Sequence, residues 1–190
     1  MNHKPKLKTL IASTRPGRVG PLVGAWLQAI AEAQGDFSHE VVDIADLGLP
    51  LFDEPEHPRL QRYVHPHTKA WSRIIDDADA LVFVTPEYNH APPPSLVNAL
   101  TYLSKEWGDK AAGIVSYGGI SGGLRAAQAL KLMLCALRMH IANDAVSISM
   151  VGEKIDDHGR LAPGPASHDA ARRMLAEVGR LAVRTMRERS

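Results

Sequence analysis

A single cysteine, Cys135, is all the thiol in this chain, so neither an intramolecular disulfide nor a cysteine-built zinc cluster can form. An excess of charge of one sign is missing as well. Against 22 Lys and Arg stand 21 Asp and Glu, a formal net charge of +1, which removes any electrostatic case for a nucleic-acid or membrane-surface partner. No apolar run is long enough to span a bilayer, and the basic start MNHKPKLKTLIAS lacks the apolar length of a secretory signal. A reduced, cytoplasmic setting is the expectation. The chain also lacks both G-x-G-x-x-G and the GKS or GKT of a P-loop, so neither a Rossmann dinucleotide site nor an NTPase is supported.

What remains is ordinary in bulk and distinctive in detail. The 190 residues, 45% apolar and 23% charged, read as one domain, 1–190, large enough for a full core. Strand and helix patterns alternate along it. Residues 7–13 (LKTLIAS) predict a buried strand. Residues 21–34 predict a helix with Val23, Trp26, Leu27 and Ile30 on one face, ended by Gly35. A second strand is expected at 39–44, a helix at 69–78 with Trp71, Ile74 and Ile75 inward, and a third, strongly apolar strand at 80–85. A helix over 95–103, with Ser95 as its cap, precedes a fourth strand at 111–116. Then come a long helix at 123–137, a fifth strand at 141–148 and a closing helix at 167–187. Residues 152–166, rich in Pro and Gly, are expected to be an exposed connection.

Short apolar strands separated by helices are what parallel pairing with crossovers requires, and strands buried on both faces lose their alternation. The fold class is therefore a doubly wound α/β domain with five parallel strands. In such sheets ligands sit beyond the carboxyl ends of the strands, where the strand order reverses. Three loops of unusual composition fall there: 14–20, 86–94 and 117–122.

The first, in STRPGRVGPL, runs from a strand into a helix. Backbone N–H groups and the positive end of the helix dipole face the loop, Ser13 and Thr14 add hydroxyls, and Arg15 and Arg18 add guanidiniums that suit a phosphate. A solvated turn with two surface arginines is the plainer reading. In the second, Pro86-Glu87-Tyr88-Asn89-His90-Ala91 leads into Pro92, Pro93 and Pro94, which stiffen the loop. A rigid edge presents backbone groups to a flat ligand in fixed geometry, although Asn serves a turn and Tyr packs in many proteins. The third loop carries Gly118, Gly119, Gly122 and Gly123, which permit close approach of backbone to a ligand or a flexible turn.

Ser13-Thr14-Arg15-Pro16-Gly17-Arg18 after the first strand, Pro86-Glu87-Tyr88-Asn89 after the third and Tyr117-Gly118-Gly119 after the fourth resemble the NADPH-dependent FMN reductase family, which includes quinone, azo-dye and chromate reductases. The resemblance covers the whole chain in motif order and implies a flavodoxin-like, three-layer α/β/α fold. It implies that Ser13, Arg15 and Arg18, with the backbone of Val19 and Gly20, hold the FMN phosphate. Pro86, Glu87, Tyr88 and Asn89 would line the flavin ring, chiefly through backbone groups, and Ser116, Tyr117, Gly118 and Gly119 would close its other side. NADPH or NADH would be the co-substrate and small-molecule electron acceptors the partners, with no catalytic acid, base or metal required. His90-Ala91-Pro92 departs from the glycine and serine or isoleucine more usual there. Arg125, at a helix start near the third loop, is placed to meet a 2′-phosphate.

Two rival classes remain at this stage: a flavodoxin-type electron carrier and a redox-sensing FMN-binding interaction protein. Carriers of that type are strongly acidic, whereas this chain has a sequence pI of about 8.0. The histidines of HPRLQRYVHPH (His57, His65, His67) read as surface residues rather than metal ligands, and Cys135 as a small core residue. The basic last helix is interrupted by Glu177 and Glu188 and reads as a solvated face. In SLVNALTYLSKEW, Leu96, Val97, Leu100, Tyr102, Leu103 and Trp107 exceed what one sheet contact buries. That excess is expected to face a second subunit, in line with the homodimers or homotetramers the resemblance implies.

Overall fold

The computed structural model describes residues 4–189. Its strands and helices, in chain order, are β1 (Lys6–Ile11), α1 (Gly20–Gln34), β2 (Ser38–Asp43), α2 (Pro66–Asp76), β3 (Ala80–Pro86), α3 (Pro94–Thr101), β4 (Ala111–Tyr117), α4 (Leu124–Ala136), β5 (His140–Ile141), β6 (Val146–Ile148) and α5 (Pro165–Arg189). All strand pairs are parallel and the order is β2-β1-β3-β4-β5, with β6 also on β4. The chain thus reverses its direction of winding between β1 and β3, the switch point at which such sheets bind ligands.

Every residue of β3 and β4 is buried, as strands covered on both faces must be, whereas β2 lies at the sheet edge and alternates. Two cores flank the sheet. Leu7, Val82, Val84 and Val115 meet α1 and α5 through Val23, Leu27, Met174 and Val178. On the other face Leu10, Leu81, Phe83 and Ile114 meet α2, α3 and α4 through Trp71, Ile75, Leu100 and Leu130. Helix α1 stops where expected: Gly35 takes φ +72° and its N–H closes on the Ala31 carbonyl.

Several expectations are corrected. The fifth strand is two short pieces, β5 and β6: after the Ala142 N–H bonds to the Ala112 carbonyl, pairing with β4 lapses until Val146, and the Asp144 N–H donates instead to Glu177. Helix α2 begins a turn before residue 69, at Pro66, and the buried Glu54 carboxylate accepts from the N–H groups of Val64 and His65 just ahead of it. Ser95 is not a cap; its hydroxyl donates to the Ala12 carbonyl and so ties α3 to the end of β1. Cys135 is exposed near the end of α4, not in the core.

The apolar excess after α3 is also absorbed within the chain. Leu96, Leu100, Tyr102, Leu103 and Trp107 are buried, with Tyr102 covered by Phe52 edge-on and its hydroxyl donating to Pro50. The sequence reading missed this because it counted only the sheet as a partner. Loop 50–54, clamped to α3 by Asn98 through both the Phe52 N–H and the Pro50 carbonyl, covers the other side. His65 and His67 stack at 5.1 Å and turn their Nε2 atoms toward Asp53.

Candidate functional site

At the carboxyl edge of β1, β3, β4 and β6 lies a cleft of about 390 Å³, within the range of about 300–1,000 Å³ usual for small-molecule sites. Its walls are Arg15, Arg18 and Val19 from the first loop, Pro86, Glu87 and Tyr88 from the second, and Tyr117, Gly118 and Gly119 from the third. A fourth segment, Met150–Glu153, completes it. Sequence reasoning missed this segment and assigned part of it to an exposed connection. The available signal was its position after the last strand, since β6 pairs with β4 at Val115, Ser116 and Tyr117 and so ends beside the third loop.

The first loop is built to receive negative charge. Helix α1 begins at Gly20 with no side-chain cap on its N-terminus and Pro21 in its first turn; Leu22 and Val23 donate to the Val19 carbonyl, so its start offers the cleft end the helix dipole and the Gly20 N–H. Arg15 stands exposed at that wall. Arg18 is half-committed: its Nη1 donates to both oxygens of Asp43, at 2.8 and 2.6 Å, and to the Ser13 carbonyl at 3.1 Å. Ser13 is buried below the loop, where the Tyr117 hydroxyl donates to its Oγ at 3.1 Å. Gly20 presses on the same point; a Cβ there would stand 2.3 Å from Ser13 Oγ and 3.0 Å from Tyr117 Oη. Ser13 and Gly20 thus set the geometry of the loop from beneath it. Burial pushes the Tyr117 phenol up to about 12, so the hydroxyl stays protonated and remains a donor.

The second loop turns by a tight two-residue hairpin. Tyr88 and Ala91 exchange both backbone hydrogen bonds at 3.0 Å, and Asn89 and His90 between them take φ +50° and +67°. Those signs define a type I′ turn, in which Asn is favoured and His at the second place is less usual than Gly. Asn89 therefore shapes the turn and is exposed rather than on the cleft wall. Pro86 is the last residue of β3, paired with Tyr117, and Pro92 and Pro93 are buried ahead of α3. The prolines hold Pro86–Tyr88 as a fixed edge.

Glu87 reaches away from the cleft to the start of α4. Its carboxylate accepts from the Arg125 N–H at 3.0 Å and the Ala126 N–H at 3.3 Å, and from the Arg125 guanidinium at 2.6 Å through Nε. Burial raises its pKa, but the guanidinium and the two helix N–H groups outweigh that and hold it below the usual glutamate value. It is an ionised anchor, and the Arg125 side chain expected to meet a 2′-phosphate is occupied by it.

The third loop is fixed rather than loose. Met150 and Val151 donate to the carbonyls of Gly119 and Gly118, and Ser116, buried, donates to the Gly122 carbonyl. At Gly123, φ +79° and contacts of 2.8–2.9 Å between an added Cβ and the Tyr117 backbone require glycine. A Cβ on Gly119 would meet nothing within 4 Å. Of the residues singled out in the sequence, Ser13, Gly20, Asn89 and Ser116 therefore support the cleft, and the other nine line it. The resulting site has a cationic, N–H-rich end and two flat backbone-edged walls, and its one carboxylate from the motif loops is held away from it.

The model of the NADPH-dependent FMN reductase family matches residues 5–153. An NAD(P)H-dependent FMN reductase of Schizosaccharomyces pombe is 39% identical over 153 residues, covering 80% of this chain and 76% of that protein. A quinone reductase of Escherichia coli is 33% identical over 149 residues, covering 75% and 76%. Among solved structures, the NAD(P)H:(acceptor) oxidoreductase FerB of Paracoccus denitrificans superposes with a TM-score of 0.70 at 19% identity, over 96% of this chain and 98% of that one. Flavodoxin 1 of Bacillus cereus reaches 0.55 at 14% identity over 92% and 97%, so the flavodoxin-like architecture is common to both. On the match to residues 5–153 and on these relatives, the chain belongs to the NADPH-dependent FMN reductase family.

Proposed function

We propose that this protein, with residues 1–190 as a single FMN-binding domain, oxidises NADPH or NADH through bound FMN and delivers the electrons to small-molecule acceptors of the quinone, azo, metal-oxyanion or free-flavin classes. The observation that carries the reading is the pairing of an uncapped helix N-terminus and two arginines with two rigid, flat walls in one cleft. The donor set suits FMN. Arg15, the backbone of the loop leading into α1 and the positive end of that helix match a terminal phosphate. The backbone edges Pro86–Tyr88 and Gly118–Gly119 match a planar tricycle, and the open space over Gly119 admits it without a side chain in the way.

FMN, held by Arg15, Arg18 and the backbone edges Pro86–Tyr88 and Gly118–Gly119, would supply the redox chemistry between reduced nicotinamide and a second substrate. The protein's own groups orient, charge and desolvate. Glu87, ionised and paired, holds the second loop to α4 and moves no proton. Tyr117, protonated, fixes Ser13 and with it the phosphate loop. The exposed apolar residues Ile120, Leu124 and Met150, on or beside the third and fourth loops, favour a second copy packing near the cleft, as a homodimer or homotetramer. A cytoplasmic setting, where reduced nicotinamide is made, completes the reading.

The test is the visible spectrum of the purified protein before and after NADPH is added without oxygen. Flavin bands that bleach, with turnover on a quinone, are the expected result. Bands that persist point to an electron carrier or a redox sensor, and a colourless protein that takes up no added FMN overturns the reading.

A further inference from the structure

We propose that Asp43, at the end of β2 and outside the three motif loops, is a positioning residue for FMN binding: it acts through Arg18 to clamp the phosphate loop to the ends of β1 and β2. The inference rests on the FMN-binding reading above and assigns a role to a residue no motif contains. The geometry is specific. Arg18 Nη1 has two hydrogens, and its three acceptors are the two Asp43 oxygens and the Ser13 carbonyl. That nitrogen is fully used by the protein, while Nη2 and Nε remain for the phosphate. Ile11 and Asp43 are register partners across β1 and β2, so the guanidinium ties the loop that follows β1 to the end of the neighbouring strand as well. Both side chains are largely shielded, at 19% and 15% exposure. Asp43 is itself held, since its Oδ1 accepts from the Ala45 N–H at 3.0 Å.

A carboxylate beside a phosphate site is unexpected on charge alone. By Coulomb's law, neutralising it strengthens the pull on a dianion. A clamp predicts the reverse, because losing the charge-assisted pair frees the guanidinium and the loop it fixes. The sign of the effect therefore decides between the two.

The experiment measures FMN and riboflavin affinity of the flavin-stripped full chain by quenching of flavin fluorescence. Asp43→Asn keeps the oxygen that accepts from Ala45 and loses the ion pair. Expected is a roughly tenfold weaker FMN affinity, the lower end of what a charge-assisted bond is worth, with riboflavin, which has no phosphate, changed less than about twofold. In an Arg18→Gln background, Asp43→Asn should add nothing, because the positioning then has no agent. FMN bound equally or more tightly by Asp43→Asn overturns the inference, as does an equal loss for riboflavin or an undiminished effect without Arg18. Should Asp43→Asn melt early, Asp43→Ser, which retains a cap for Ala45 and is too short for Arg18, gives the same comparison. Wild-type protein that binds no FMN overturns the functional reading itself; wild-type binding with an unaffected Asp43→Asn overturns this inference alone.

Discussion

Substituting Gly20 by Ala should destabilise this protein, although glycine-to-alanine changes at the start of a helix ordinarily do the opposite. Where the backbone suits both residues, alanine gains about 0.4–1 kcal/mol by restricting the unfolded chain. At Gly20 the new methyl would lie 2.3 Å from Ser13 Oγ, 2.8 Å from Ile11 Cγ2 and 3.0 Å from Tyr117 Oη. Ser13 can rotate only by giving up the bond from Tyr117, worth about 1 kcal/mol. Ile11 is β-branched, 4% exposed, and sits in a strand with neighbours on both sides. Overpacking of this kind costs about 1–3 kcal/mol. The terms sum to a net loss of about 2 kcal/mol, which for a chain of this size lowers Tm by about 4–8 °C.

The assay is thermal unfolding of Gly20→Ala beside two controls. Gly152→Ala, where an added Cβ meets nothing within 4 Å and φ is not left-handed, should be neutral or slightly stabilising. Ser13→Ala combined with Gly20→Ala removes the 2.3 Å contact and leaves the 2.8 Å one, so the double variant should recover part of the loss rather than add to it. A Gly20→Ala protein with wild-type or higher Tm would refute the claim that the loop between β1 and α1 is set by packing against Ser13 and Tyr117.

Glu87→Gln should cost about 1–2 kcal/mol at neutral pH, since a buried charged acceptor loses its ionic partner while Arg125 is half solvated. Because Glu87 has a folded-state pKa below its ordinary 4.5, its contribution is complete above that value and lost as pH falls through the lower one. Wild-type and variant Tm values should therefore begin to converge as pH falls below 4.5, and a difference that stays constant on acidification below that value would contradict the assignment. His90→Gly should raise stability by about 0.5–1 kcal/mol in urea unfolding, because φ +67° strains a side chain and suits glycine; a decrease would mean that the His90 side chain makes a contact that matters. Cys135, exposed on α4, should react with one equivalent of a thiol reagent in native buffer, and reaction only in denaturant would place it back in the core.

The fold was legible because the two innermost strands, β3 and β4, are apolar throughout and are followed by helices of clear period. Three of the four walls of the cleft were legible for a related reason: they sit between a readable strand and a readable helix, where composition stands out. What stayed hidden depends on contacts between distant parts of the chain. Nothing near residue 103 announces that loop 50–54 returns to cover Tyr102, so its burial looked like a dimer face. Nothing near Glu87 announces that α4 starts within reach of its carboxylate, so its side chain's role as an anchor was not legible. Asp43 ends an unremarkable edge strand and gains meaning only when Arg18 arrives beside it.

These hidden contacts share a direction that bears on mechanism. Glu87 is turned to α4, Asp43 to Arg18, and the Tyr117 hydroxyl to Ser13. Three polar side chains beside the cleft are thus spent on holding loops, while Tyr88 and Glu153 line it. The walls offer backbone edges, the two arginines and apolar surface, with Tyr88 and Glu153 beside them. A site so arranged binds and orients, and its rate is set by how closely two planar partners are brought together. Substitutions that loosen the loops should therefore weaken binding and electron transfer together.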